Sequence, residues 1–176
     1  MHSKKCCSNK NRHVNALTFV LSSVISFEVL YTSKAFYIFM LPKRTYEEIK
    51  VGEKASYSKT ISEAMILEFA ELSGDFNPLH VDEEFAKKAF FRERVAHGML
   101  TASLFSTVVS EVLGQGGIYI SQTLNFKAPV KIGDTISATT EVLEKLAKNR
   151  VRMKTVAVNQ EGKTVLFGEA VGFLAP

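Results

Sequence analysis

Between Gly98 and Gly114 the chain reads GMLTASLFSTVVSEVLG, with Glu111 its one charged residue. A helix that is apolar on nearly all sides has to be covered on nearly all sides, and the flanking glycines mark where it starts and stops. Gly98, Ala102, Ser106 and Ser110 recur at i, i+4, so one ridge of this helix carries small side chains and lets another layer of backbone come close. The rest of the chain must therefore supply a shell around a rod. Four segments after the helix have the composition for it: GIYISQTLNFKAPV, DTISATTEVLEKL, RVRMKTVAVNQ and KTVLFGEAVGFL, each rich in β-branched or aromatic residues. Turn residues at Lys131-Ile132-Gly133-Asp134 and Asn159-Gln160-Glu161-Gly162 join consecutive strands as antiparallel neighbours. One long helix against four or five antiparallel strands is an α+β layer architecture, and 176 residues suit one such domain with an appendage.

The appendage is residues 1–39. Lys4, Lys5, Lys10 and Arg12 precede an uncharged apolar run from Ala16 to Phe27, the order of a targeting leader, and Ser33-Lys34-Ala35 offers a small-x-small cleavage site. The run falls short of the roughly 20 residues a membrane span needs. Met40 opens a segment that looks like the natural start of a cytosolic protein, so an upstream extension stands beside the targeting reading. Residues 40–176 are expected to fold as one cytoplasmic domain with no membrane contact. The net charge of +4 belongs entirely to the leader, whose five Lys/Arg and one Glu leave 17 basic against 17 acidic residues beyond it. A neutral domain lacks the electrostatic footprint of a nucleic-acid binder. Cys6 and Cys7 also lie in the leader, which removes disulfides and thiolate metal sites from the folded part.

Thr60-Ile61-Ser62-Glu63 has the form of an N-cap with a carboxylate three residues on, and Met65, Ile66, Phe69, Ala70 and Leu72 follow at helical spacing as far as Gly74. The polar stretch from Asp82 to Arg94 reads as a solvated helical turn or loop. Between them, SGDFNPLH puts Asp75, Asn77, Pro78 and His80 in one turn, with Pro78 forbidding a helix through the segment. Gly74 as a helix stop, with Asp75 and Asn77 as ordinary turn formers, accounts for part of this. The combination points further. A carboxylate and an imidazole, ordinarily titrating at about 3.9 and about 6.5, are a matched pair for moving one proton of a bound water. Competing chemistries lack their signatures: there is no Gly-x-Ser-x-Gly elbow, His80 and Asp82 alone make a poor metal site, and the glycines at 114, 116 and 117 follow a helix rather than a strand, unlike a dinucleotide fingerprint.

The run FAELSGDFNPLHVD, 69–82, resembles the hydratase-2 motif of the MaoC-like dehydratases, the (R)-specific enoyl-CoA hydratases with a hotdog fold. The resemblance continues through HGMLTASLFS, IYISQTLNFKAPVKIGD and GEAV, covering about residues 46 to 175. It implies a hotdog in which a curved antiparallel sheet wraps the long central helix, assembled as a homodimer or a dimer of dimers. The implied reaction is syn hydration of trans-2-enoyl thioesters to (R)-3-hydroxyacyl thioesters, without a metal or cofactor, on acyl-CoA or acyl carrier-protein substrates. Asp75 and His80 are then the catalytic pair, Asn77 braces their turn, and the backbone N–H of Gly98 meets the thioester oxygen, where exposed helix-terminal amides make chemical sense. His97 reads as a cap or core histidine against a catalytic one. Ser106 is implied as a supporting residue, although about 12 Å of helix at roughly 1.5 Å per residue separates it from Gly98. Val109 and Val171 are implied to limit the acyl pocket. The alternatives are a 3-hydroxyacyl carrier-protein dehydratase using the same pair, a hotdog thioesterase, and an acyl-binding module without turnover.

Overall fold

The computed structural model of the chain describes residues 41–174. The leader, 1–39, and the expected boundary at Met40 lie outside the described residues. Strand β1, Lys54–Thr60, is followed by helices α1 (Glu63–Ser73), α2 (Pro78–Val81), α3 (Glu83–Lys88) and α4 (Gly98–Leu113), and then by β2 (Ile118–Gln122), β3 (Asn125–Phe126), β4 (Thr135–Leu146), β5 (Arg150–Val158) and β6 (Thr164–Phe173). The strands form one sheet in the order β1-β4-β5-β6-β2, with β3 beside β6 and every pairing antiparallel. Helix α4 touches β1, β4, β6 and β2, so the sheet runs around the rod. This is the α+β layer arrangement that the apolar helix and its trailing strands predict, with the sheet wrapped on the helix as the resemblance implies, except that the strands on either side of the Lys131–Asp134 turn are not neighbours, since β2 and β3 pair with β6 and not with β4.

The strands are one-sided, as an antiparallel sheet over a core should be. Along β5, Val151, Met153, Thr155 and Ala157 are buried while Arg150 and Lys154 face out. Two groups of buried side chains result. Ile61, Ile66, Leu100, Leu104, Phe105, Val108, Ile136 and Leu166 pack around the N-terminal half of α4, and Ile49, Val109, Val112, Leu113, Val142 and Met153 around its C-terminal half.

Four local expectations need correction. The cap of α1 is Ser62, whose Oγ accepts the Met65 N–H at 3.3 Å, while Thr60 ends β1 and hydrogen-bonds across it to Thr135 at 2.8 Å. Leu72, counted on the apolar face of that helix, is 85% exposed. The segment after α4 is two strands rather than one, with a register shift between Tyr119 and Ser121. Helix α4 is not covered all round within this chain, since Met99, Ser103 and Ser106 are exposed. Strand β1 was not foreseen; only Ala55 and Tyr57 alternate inward among polar neighbours, too few to signal a strand.

The start of the described chain is fastened to the far end of α4. The Arg44 guanidinium pairs with Glu53 and donates to the Val112 carbonyl at 2.8 Å. Hydrogen bonding from Arg44 holds the Glu53 carboxyl below its ordinary 4.5, against the opposing effect of burial. A depressed carboxylate stabilises the fold above its unfolded value, and that contribution fades as pH falls through the lower folded value. Glu53→Gln is therefore expected to lower the urea midpoint at neutral pH, with the gap to wild type closing below about pH 4. A gap that stays constant over that range would contradict the pairing.

Candidate active site

Helix α1 ends because Gly74 takes the left-handed conformation, φ 76°, and its N–H returns to the Ala70 carbonyl. The following turn is then tied residue to residue. The Asp75 N–H donates to Ser73 Oγ at 3.2 Å, the Asn77 N–H to Asp75 Oδ1 at 3.2 Å, and the Leu79 N–H to Asn77 Oδ1 at 3.1 Å. Asn77 is thus the N-cap of α2, with Pro78 in that helix's first turn. The expectation that Pro78 excludes a helix here fails because proline at the first helical position lacks only an N–H that would be unpaired anyway. The single turn of α2 carries His80 back toward Asp75.

His80 Nδ1 lies 2.8 Å from the Val95 carbonyl oxygen. A carbonyl only accepts, so Nδ1 carries a proton, and in the neutral imidazole Nε2 is then the acceptor. Its ring lies against that of His97, with centroids 3.9 Å apart and planes inclined at 36°, and the Phe69 ring also packs near His97, with centroids 5.0 Å apart. His97 is 2% exposed; it occupies the N-cap position of α4 without capping it through its side chain, and Nε2 instead donates to the Asp75 carbonyl at 2.9 Å. One ligand-type atom from each of Asp75, His80 and His97 lies within 4.8 Å of the others. A water donating two bonds of about 2.8 Å spans roughly 4.5 Å between its acceptors, which suits this spacing. His80 Nδ1 and His97 Nε2 are each committed to a backbone carbonyl, so one nitrogen of each ring is already taken.

The trio opens on a cavity of about 750 Å³ walled by Phe69, Leu79, Phe91, Met99, Thr101 and Val165, among others, with Gly98 on the same wall. Gly98 is the first residue of α4, where amide N–H groups have no partner inside the helix. The Phe126 ring packs directly over it: a Cβ built on Gly98 would sit 2.6 Å from that ring. Its walls are apolar apart from one polar corner, made of a carboxylate, an imidazole and a helix N-terminus.

A profile of the MaoC like domain matches residues 45–165. The chain belongs to the MaoC-like family. Over 126 residues it is 46% identical to the (R)-specific enoyl-CoA hydratase of Rhodospirillum rubrum, a match covering 71% of this chain and 88% of that protein. The R-hydratase PhaJ1 from Pseudomonas aeruginosa, in its unliganded crystal form, superposes with a TM-score of 0.70 at 50% identity, covering 74% of this chain and 84% of that one. The mitochondrial 3-hydroxyacyl-[acyl-carrier-protein] dehydratase of Arabidopsis thaliana is 37% identical over 130 residues, 72% of this chain and 78% of that protein.

In this MaoC-like chain the residues implicated by sequence do not all meet. Asp75, His80 and Gly98 share the larger cavity, and Asn77 braces the turn beneath them from an exposed position. Ser106 lies elsewhere, in a second cavity of about 480 Å³ together with Ala102, Ser103 and the β2 residues Tyr119–Gln122. Burial there pushes the Tyr119 hydroxyl up to about 12. Phe69 and Met99 wall both cavities. Val109 and Val171 line neither: Val109 is fully buried with Val112 and Leu113, and Val171 sits on β6 opposite Ser121 and Arg152. Three contributors went unseen in the sequence. The Val95 carbonyl has no side-chain signature, Phe69 was read only as helix face, and Phe126 only as part of a strand.

Proposed function

We propose that this chain is an (R)-specific enoyl-CoA hydratase, a hydro-lyase that adds water reversibly to trans-2-enoyl-CoA to form (R)-3-hydroxyacyl-CoA. The observation that carries the proposal is the pair Asp75 and His80, close enough to share one water, at the polar corner of an apolar cavity that Gly98 also borders. Both groups accept hydrogen bonds from that water: the carboxylate by its charge, and His80 through Nε2, because Nδ1 is committed to Val95. The water oxygen attacks C3 as one of its protons passes to the pair, and the pair returns that proton to C2 from the same face, which makes the addition syn and leaves both groups as they began. Negative charge that develops on the thioester oxygen is met by the Gly98 N–H and the positive end of the α4 dipole.

The carrier-protein dehydratase reading uses the same pair and rests on the plant relative; the higher identity to the bacterial hydratase favours the CoA ester. Among the described residues no helix is long and apolar enough to cross a membrane. We assign the folded part to the cytoplasm, or to the organelle that a targeting leader selects, the plant relative being named as mitochondrial. The proposal includes a second copy of the chain. Strand β2 ends the main path of the sheet and exposes Ile118 and Ile120, each about half accessible, beside the exposed Met99 and Ser103 of α4.

The test is to incubate the full chain with crotonyl-CoA and follow enoyl absorbance, product chirality and free thiol, with crotonyl carrier protein run in parallel and sedimentation on the same preparation. The expected result is (R)-3-hydroxybutyryl-CoA from a dimer or larger assembly, formed faster from the CoA ester. Thiol release would mean a thioesterase, and tight binding without turnover an acyl-binding module. A faster reaction with carrier protein would transfer the assignment to the dehydratase, and a monomer would remove the second copy.

A further inference from the structure

We propose that His97 is a positioning residue that holds the proton-handling pair in register with the Gly98 amide. The inference rests on the hydration reading for its kinetic consequences, but its structural content stands apart from it. The hydrogen bonds from the Asp75 N–H to Ser73 Oγ and from the Asn77 N–H to Asp75 Oδ1 are local, made within the turn itself, and Asp75 is exposed on that turn directly after a left-handed glycine. Such ties shape a turn without fixing where it sits. The hydrogen bond from His97 Nε2 to the Asp75 carbonyl spans 22 positions in sequence and anchors the turn to the element that begins at Gly98.

The anchor is itself fixed. Residues 95–97 supply both distant ties of the site: Val95 accepts from His80, and His97 donates to Asp75. Between them the Ala96 N–H donates to the Val130 carbonyl at 2.8 Å, and Val95 bridges to Lys131. One short pinned segment thus sets the places of the carboxylate, the imidazole and the next residue's amide together. The His97 ring also lies against His80 and limits the tilt of the ring that holds Nε2.

A purely space-filling role fits poorly. His97 Nδ1 is buried and has no hydrogen-bond partner among the described residues. A buried acceptor left unpaired is a cost, and phenylalanine would fill the same slot and stack on the same rings without it. What the imidazole adds is the Nε2–H donor. Misplacement of a reacting group by about 1 Å is enough to lose on the order of 100-fold in rate, so a tether of this kind has a kinetic signature.

The test compares His97→Phe, which keeps the ring and removes the donor, with His97→Gln, whose amide nitrogen stands where Nε2 was. For crotonyl-CoA hydration, kcat of the Phe variant is expected to fall by roughly 10- to 100-fold with KM changed less than about threefold, and the Gln variant to recover most of the loss. A Phe variant with wild-type kcat, or a folded Gln variant as impaired as Phe, would overturn the proposal. A second measurement needs neither turnover nor a folded Phe variant. Imidazole ¹⁵N spectra of the wild-type chain should find the His97 proton on Nε2 and slow to exchange, and a proton on Nδ1 or in rapid exchange would overturn the tether. Failure of wild-type turnover with the His97 signature intact would sink the hydration reading and leave the tether standing.

Discussion

Asp75→Asn and His80→Asn are each expected to lower kcat for crotonyl-CoA hydration by about 10²- to 10⁴-fold, the range that a positioned acid or base contributes. That corresponds to roughly 3 to 5 kcal/mol of transition-state stabilisation. The substitutions suit the local bonds. Asn at 75 keeps an oxygen to accept the Asn77 N–H, and Asn at 80 places its amide nitrogen where Nδ1 now donates to Val95. Asp75 is exposed and His80 half-exposed, so neither change empties the core, and both variants should melt close to wild type. What each variant lacks is one of the two acceptors that hold the water. Because both act on the same molecule, the double variant should be little slower than the worse single one. Activity within tenfold of wild type in either folded variant, or fully additive losses in the double, would remove Asp75 and His80 from the roles assigned to them.

How far the site could be read in advance depended on the range of each interaction. The residues proposed to carry the chemistry lie within six positions, on a turn whose makers, Gly74, Asn77 and Pro78, act on their neighbours, so SGDFNPLH exposes its own geometry. The apolar rod from Gly98 to Leu113 was legible for a related reason: nearly charge-free helices have few places to go. The parts that escaped depend on distant partners. Val95 matters through a carbonyl that any residue would supply, and His97 through a bond to Asp75, which the sequence cannot distinguish from an ordinary cap. The exposed Met99–Ser103–Ser106 face of α4 was misjudged because hydrophobicity says that a surface must be covered, not whether the same chain covers it. Ser106, Val109 and Val171 came from resemblance alone, and one chain does not bring them to the pair.

Gly168 shows how a residue in a motif can act through space rather than chemistry. It lies in β6 opposite Thr155, within the GEAV segment, and the link between β2 and β3 crosses it so closely that a Cβ would stand 1.7 Å from the Thr123 carbonyl oxygen. That oxygen belongs to backbone, which cannot turn aside as the tip of a side chain could. The link is also fastened where it crosses: the Thr123 N–H donates to the Glu169 carbonyl at 2.9 Å, the Glu169 N–H to Thr123 Oγ1 at 3.0 Å, and Gln122 Nε2 to the Thr123 carbonyl at 2.7 Å. Gly168→Ala must lift the link and break part of this set, so its cost belongs at the upper end of overpacking, about 3 kcal/mol, and its melting temperature should fall by roughly 10 °C. Trimming the neighbour, Thr123→Ala, should not rescue it, because alanine carries the same carbonyl. The damage should also reach the site, since the link leads into β3, and Phe126 of β3 lies over Gly98. A Gly168→Ala protein that melts with wild type would mean that the crossing is looser than a glycine requires, and the GEAV segment would then need a reason other than close approach.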